Sequence, residues 1–395
     1  MTKREQQLAE LLTRGVEDVI VREELEKALK SGKKLRVKFG IDPTGDKIHI
    51  GHAVVYWKLR AFQELGHEVI ILIGDYTAMI GDTSDKDAER SQLKADTVRQ
   101  HMKSYLKQIG QIIDLEKAEI RYNSEWLKKL EFIDIIELAS EFKVAQMLER
   151  DNFRLRYEAG KPVGLQEFLY PVMQGYDSVA LHADVELGGN DQLFNMMAGR
   201  TLQKRAGQKP QAVLVTQLLV GTDGRKMSKT QPNCVFVTDA PVEMYGKLMA
   251  IDDELIPEYY RLATAVPMDV IESVEGDMAR GANPRDTKAS LAREIVARYH
   301  GEKVARAAEE AWEKQFRDGG MPDDIPVYRA DDKELADVVG LLANAFGVTK
   351  SEVRRLLEQG GVRIDGEVVE SLDTIRLRSG QIAQLGKRRY IKVQV

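Results

Sequence analysis

Leu35-Arg36-Val37-Lys38-Phe39-Gly40-Ile41-Asp42-Pro43-Thr44-Gly45-Asp46-Lys47-Ile48-His49-Ile50-Gly51-His52 reads as a strand, a break and the start of a helix. Leu35–Ile41 alternates with the two-residue period of a strand. Pro43 and Gly45 interrupt it, and His49–Leu65 resumes at helical spacing until Gly66. The same succession recurs outward from this unit. Strands are expected at Glu68–Ile73, Glu119–Tyr122, Ala183–Leu187 and Ala212–Leu219. Helices are expected over Glu89–Ile113, Ser124–Arg150, Leu165–Leu181 and Asp191–Ala206. Upstream, apolar residues at helical spacing from about Arg4 to Leu29 predict one further helix, ended by Ser31-Gly32. Strands alternating with helices predict an α/β fold with a Rossmann-like, doubly wound parallel sheet. Ligands sit beyond the carboxyl ends of the strands in such sheets, so the loops starting at Asp42, Gly74, Gly188 and Gly221 are expected along one rim.

Composition narrows the class. The chain has 395 residues, 43% hydrophobic and 31% charged, with 11 prolines and 31 glycines, which excludes a disordered or fibrous polymer. A single cysteine, Cys234, excludes a disulfide framework and a multi-cysteine zinc site. The charged N-terminus lacks a signal-peptide pattern, and Val69–Ile73 falls far short of the ~18 apolar residues of a membrane span. A cytoplasmic protein is expected. The net charge is −5, yet Glu334–Val395 carries ten basic against eight acidic residues, compatible with a small nucleic-acid contact there. Beyond Asp239 the pattern is mostly helical to about Phe316, and Arg317–Asp332 reads as a linker. The tail then holds a helix Glu334–Ala345, a Thr349-capped helix Ser351–Gln359, and strands around Val362–Ile364 and Tyr390–Val395.

Two segments carry phosphate chemistry. His49 and His52, three apart, face one side of the first helical turn, where N–H groups and imidazoles suit phosphates. Gly51 between them lets a planar ring approach the backbone. By itself such a pair equally suits a surface or capping role. Lys226-Met227-Ser228-Lys229-Thr230 places two lysines in a polar loop opened by Gly221-Thr222-Asp223-Gly224, able to meet a phosphate as charge develops. No Walker-type or G-x-G-x-x-G phosphate loop is present.

His49-Ile50-Gly51-His52 and Lys226-Met227-Ser228-Lys229-Thr230 together resemble the two signature motifs of class I aminoacyl-tRNA synthetases, the second departing only at Thr230. Two further stretches narrow the likeness. In Phe168–Asp177, Tyr170, Gln174 and Asp177 share one helix face. In Glu186-Leu187-Gly188-Gly189-Asn190-Asp191-Gln192, a strand end and a glycine pair lead into a helix start. Both resemble the tyrosine pocket and ribose site of the bacterial tyrosyl-tRNA synthetases, and Lys-Phe-Gly-Ile-Asp-Pro-Thr is similar to their second subtype. The resemblance covers nearly the whole chain.

It implies the following roles. Asp82, Tyr170 and Gln174 hold the substrate α-ammonium, and Asp177 accepts from the tyrosine hydroxyl. Gln192 lies near the substrate carboxyl group, Gly189 and Asp191 near the adenosine ribose, and Asp42 over the substrate. Thr44, His49, His52, Lys226 and Lys229 meet the ATP phosphates or ribose, with Gly51, Met227, Ser228 and Thr230 completing the ATP site. Lys38 stands where many members have a tyrosine that donates to the substrate hydroxyl; it donates there too, pairs with Asp177, or points away. The resemblance also implies tyrosine activation by ATP, transfer to the terminal ribose of tRNA, and a homodimer. Mg²⁺ travels with ATP, and no metal held by the protein itself is expected. The tail resembles a small α+β RNA-binding module, with Lys350, Arg354, Arg355 and Arg363 as phosphate contacts. The implied domains are a catalytic domain over 1–230 with a helical insertion about 124–165, a helical tRNA-contacting domain over 231–320, a linker over 321–333 and the module over 334–395.

Overall fold

The quoted strand, β2 (Arg36–Ile41), lies inside a six-stranded sheet with β1 (Val16–Ile20), β3 (Glu68–Ile73), β4 (Glu119–Tyr122), β5 (Val185–Gly189) and β6 (Ala212–Thr216). Their spatial order is β1-β6-β5-β2-β3-β4. The computed structural model describes all residues except 1, 44–46, 83–94, 228–231, 317–324, 331–334, 336, 370, 373–374, 387–388 and 395. The chain forms two compact units, Met1–Arg306 and Ala307–Val395.

In the first unit, β2 to β6 are mutually parallel, as the alternating pattern predicts. Val69–Ile73 is almost wholly buried, each aliphatic side chain contributing about 1.5–3 kcal/mol. From β2 the chain winds through β3 to β4, then crosses back to lay β5 and β6 on the other side of β2. The winding therefore reverses between β2 and β5, and a crevice opens there at the strand ends.

The single N-terminal helix is corrected. Lys3–Leu11 and Arg22–Lys30 are helical, but Val16–Ile20 between them is an edge strand antiparallel to β6. Gly15 at φ +62° turns the chain after the first helix, and β6, which would otherwise be the edge of the sheet, offers its backbone to Val16 and Val19-Ile20. The helix expected over Ser124–Arg150 is also divided, into Ser124–Leu127, Phe132–Ala139 and Val144–Leu148. Asp134 caps the backbone N–H of Glu131 at 2.8 Å and starts the second piece afresh. Helix Leu165–Leu181 matches its expected span. Helices Pro241–Met249, Ile256–Ala263, Met268–Ala279 and Pro284–His300 follow the sheet in the first unit.

The second unit contains a sheet of order β7-β11-β10-β8-β9, formed by β7 (Val327–Arg329), β8 (Val362–Ile364), β9 (Glu367–Val368), β10 (Ile382–Leu385) and β11 (Arg389–Gln394). β7 falls inside the expected linker, where it pairs parallel to β11. The first helix of this unit's α/β part starts at Val338 rather than Glu334, because Asp337 caps the N–H of Gly340 at 2.9 Å. Thr349 caps the next helix, Lys350–Glu358, as expected.

Candidate active site

Asp42, the first residue past β2, accepts hydrogen bonds on both oxygens: from Thr77 Oγ1 at 2.8 Å and from the Tyr170 hydroxyl at 2.9 Å. Gly74, just past β3, makes room for this pair, since a Cβ there would overlap both Asp42 Oδ1 and Thr77 Oγ1. Burial, then the negative charges of Asp42 and Asp82, hold the Tyr170 phenol well above its ordinary pKa, so it is a neutral donor. Asp82 accepts from Gln192 Nε2 at 2.7 Å and from Arg150 Nη2 at 3.3 Å, and Gln192 Oε1 accepts from Asn195 at 3.1 Å. Asp42, Asp82, Tyr170 and Gln192 thus surround one end of the crevice with carboxylates and amides, suited to a small cation bearing a carboxylate.

Asp177 is buried deeper. Trp126 Nε1 donates to its Oδ1 at 2.7 Å, and Asn123 Nδ2 to its Oδ2 at 3.4 Å. Burial pushes its carboxyl up to about 7, opposed chiefly by the charge of Lys38. Lys38 does not touch Asp177: its ammonium pairs with Glu186 at 3.0 Å and donates to Ser178 Oγ at 2.8 Å and the Gln174 carbonyl at 3.1 Å. The Gln174 amide in turn donates to Glu186 at 3.1 Å.

At the other end, His49 caps the helix Ile50–Glu64, its Nδ1 accepting the His52 N–H at 3.3 Å. The accepting Nδ1 leaves the ring proton on Nε2. The two imidazoles stack at 3.6 Å between centroids. A Cβ on Gly51 would crowd His49 Nδ1 at 3.0 Å and the Leu219 carbonyl at 3.2 Å. The base of the lysine loop lies beside this turn. Val220 bridges Lys226, His49 bridges Phe236, and the Ile50 N–H donates to the Val235 carbonyl at 2.9 Å. Tyr259 anchors the loop base from the helical layer, donating to the Val220 carbonyl at 2.9 Å. Asp223, bonded by Asn233 and Arg225, is held down to about 2 and stays ionised.

The structure therefore brings His49, Gly51, His52 and the Lys226-Met227 end of the loop to one rim, and Asp42, Asp82, Tyr170 and Gln192 to the adjoining crevice. Gly189 ends β5, and Asp191 sits in the 3-10 turn Asn190–Gln192 beside it. Thr44, Ser228, Lys229 and Thr230 lie outside the described residues. In the second unit, Lys350 pairs with Asp337 at 2.8 Å, while Arg354, Arg355 and Arg363 are exposed. Sequence reading missed Thr77, Asn123, Trp126 and Arg150, and gave no role of their own to Gly74, named only as a loop start, or to Glu186, quoted only within its stretch. Only Glu186 carried a signal, a charge within an apolar strand. Among the described residues no group of three or more His, Cys, Asp or Glu could hold a metal ion.

Comparison with known proteins shows the family. The family "tRNA synthetases class I (W and Y)" matches residues 30–317, and the S4 domain matches residues 341–375. Tyrosine–tRNA ligase 2 of Vibrio cholerae is 45% identical over 400 residues, covering 100% of both chains. Tyrosine–tRNA ligase of Carboxydothermus hydrogenoformans is 46% identical, covering 97% of both. The fold is similar to that of tyrosyl-tRNA synthetase complexed with L-tyrosine from Archaeoglobus fulgidus, at TM-score 0.62 and 24% identity, covering 78% of this chain and 100% of that one.

Proposed function

The chain belongs to the class I aminoacyl-tRNA synthetases for tryptophan and tyrosine, among the tyrosine–tRNA ligases of the second bacterial subtype, and on that premise we propose how its residues divide the work. It activates L-tyrosine with ATP to tyrosyl-adenylate and pyrophosphate, then transfers the tyrosyl group to the 3′-terminal ribose of tRNA(Tyr). The observation that carries the residue-level reading is that both groups of side chains follow β2: Asp42 directly, bonded to Thr77 and Tyr170, and His49 at the start of the next helix.

Tyrosine enters with its ammonium toward Asp82, Tyr170 and Gln174, its carboxylate near Gln192 and its phenol toward Asp177. Asp42 lies over it. The substrate carboxylate is ionised at neutral pH, so its oxygen attacks the α-phosphorus without a general base. A carboxylate–phosphorus bond forms, the bond to the bridging oxygen breaks, and pyrophosphate leaves with that electron pair. Catalysis is then positioning and charge stabilisation. His49 and His52 steady the phosphates from the helix start, together with Thr44. Lys226 and Lys229 meet the charge that moves onto the leaving pyrophosphate, and Gly51, Met227, Ser228 and Thr230 shape their seat. Gly189 and Asp191 hold the ribose. Mg²⁺ arrives with ATP.

Lys350, Arg354, Arg355 and Arg363 contact tRNA phosphates. The chain works in the cytoplasm as a homodimer. What supports the dimer is a concentration of exposed apolar residues in one stretch: Phe132 (78% exposed), Ile133, Ile136, Val144, Leu155 and Leu165. The reading is tested by ATP–pyrophosphate exchange with each of the twenty amino acids. Exchange driven by tyrosine alone is expected, and exchange driven by tryptophan or by none rejects it.

A further inference from the structure

Lys38 and Glu186 stand directly opposite each other on β2 and β5, the two strands that flank the crevice, and both are wholly buried. An ammonium has three donor hydrogens. Lys38 faces three acceptors, Glu186 Oε1, Ser178 Oγ and the Gln174 carbonyl, at 3.0, 2.8 and 3.1 Å. Glu186 in turn accepts from the Gln174 amide at 3.1 Å, from the Ser178 hydroxyl at 3.1 Å and from Gln211. The turn Gln174–Ser178 is thus gripped by backbone and side chain together, and Asp177 sits inside it.

We propose that Lys38 is a positioning residue for tyrosine specificity. With Glu186 it fixes the Gln174–Ser178 turn and supplies positive potential beneath Asp177, while Asp177 alone takes the substrate hydroxyl. This rests on the placement of the tyrosine phenol given above. For Lys38 to donate to that phenol itself, it would have to leave a buried carboxylate unpaired, a costly exchange. The charged groups facing Asp177 are Lys38 from β2 and Glu186 from β5. Asn123, just past β4, and Trp126, in the short helix Ser124–Leu127, are neutral, and Thr77 joins through Asn123. Helix Leu193–Arg205 meets the turn through Ala198 and Gly199, Leu138 of helix Phe132–Ala139 packs on the apolar cluster of Met147, Val172 and Leu202, and Tyr170 of helix Leu165–Leu181 is a neutral phenol. Lys38 favours the ionised Asp177 and Glu186 opposes it.

The test is the pH dependence of tyrosine KM in pyrophosphate exchange, from pH 6 to 9, with phenylalanine as the competing substrate. Lys38→Met is expected to move the midpoint up by about one unit or more and lower the tyrosine-to-phenylalanine preference about tenfold. Glu186→Gln is expected to move the midpoint down, with KM for ATP unchanged in both. A purely structural role lowers the unfolding temperature and leaves the midpoint in place, which overturns the proposal. So does Glu186→Gln improving tyrosine use with no shift, the mark of a lysine that donates to the phenol directly. Where Lys38→Met does not fold, Lys38→Arg keeps the charge and its carboxylate partner. Its midpoint is expected within about half a unit of the parent, and a full-unit shift overturns the proposal. A parent protein that shows no tyrosine-driven exchange fails the functional reading, whereas tyrosine-driven exchange with unmoved midpoints fails this inference alone.

Discussion

A Cβ on Gly74 would overlap Asp42 Oδ1 and Thr77 Oγ1, so Gly74→Ala separates the pair that aims Asp42 at Tyr170. The variant is expected to lose about 1–3 kcal/mol of stability and to raise tyrosine KM more than ATP KM, read by exchange kinetics and denaturant unfolding. Asp177 adds a pH term. Its folded pKa of about 7 lies above the ordinary carboxylate value, so the folded state keeps a proton that the unfolded chain has released. Stability is greatest below about pH 4 for this group and declines as pH rises through 7, by a few kcal/mol in all (~1.4 kcal/mol per unit). Asp177→Asn is expected to flatten that stretch of the unfolding profile while weakening tyrosine binding. The sequence motifs exposed Tyr170, Gln174 and Asp177 through their shared helix face. They did not expose the partner of Lys38, because the pairing of Lys38 with Glu186 depends on β2 and β5 lying side by side across 148 residues, and strand order is not written locally.

Among elements, the N-terminal helix shows what a buried cation can close. Lys58, inside the helix Ile50–Glu64, donates to the carbonyls of Leu11 and Arg14 at 2.9 and 2.6 Å and to that of Glu10 at 3.4 Å. The Leu11 and Arg14 carbonyls lie at and just beyond the end of helix Lys3–Leu11, where the helix itself supplies no donor, while the Glu10 carbonyl also accepts the Arg14 N–H at 3.0 Å. Burial brings the Lys58 ammonium down to about 8. Lys58→Met is expected to destabilise the protein by about 1–3 kcal/mol and to raise hydrogen exchange first in residues 3–14, measured by mass spectrometry. The central strands and helix Leu165–Leu181 were legible because their periodicity is unmixed. β1 was not, since Val16, Val19 and Ile20 also fit a helical stripe and only the backbone of β6 decides between the two. The long helix expected over Ser124–Arg150 failed for a similar reason, its apolar spacing continuing across two caps.

For the whole molecule, seven large apolar side chains among the described residues between 132 and 165 stand exposed, among them Phe132, Ile133 and Ile136. If the proposed dimer forms through this face, Phe132→Asp with Ile136→Asp converts it to monomers in sedimentation velocity, with loss of tRNA charging. An unchanged sedimentation coefficient would remove the dimer from this face. The class of fold, the two ends of the cleft and the RNA-binding tail were legible from spaced motifs, whereas the buried polar cluster that braces them arises only when distant strands meet. The antiparallel strand at the margin of the sheet has a last consequence. β1 turns Glu17 and Asp18 to solvent along the outer border and keeps the wholly buried β6 from becoming the outermost ribbon. A chain trimmed of its first twenty residues would offer a naked, sticky hem to its neighbours, and insolubility rather than a subtle loss of turnover is what such trimming would bring.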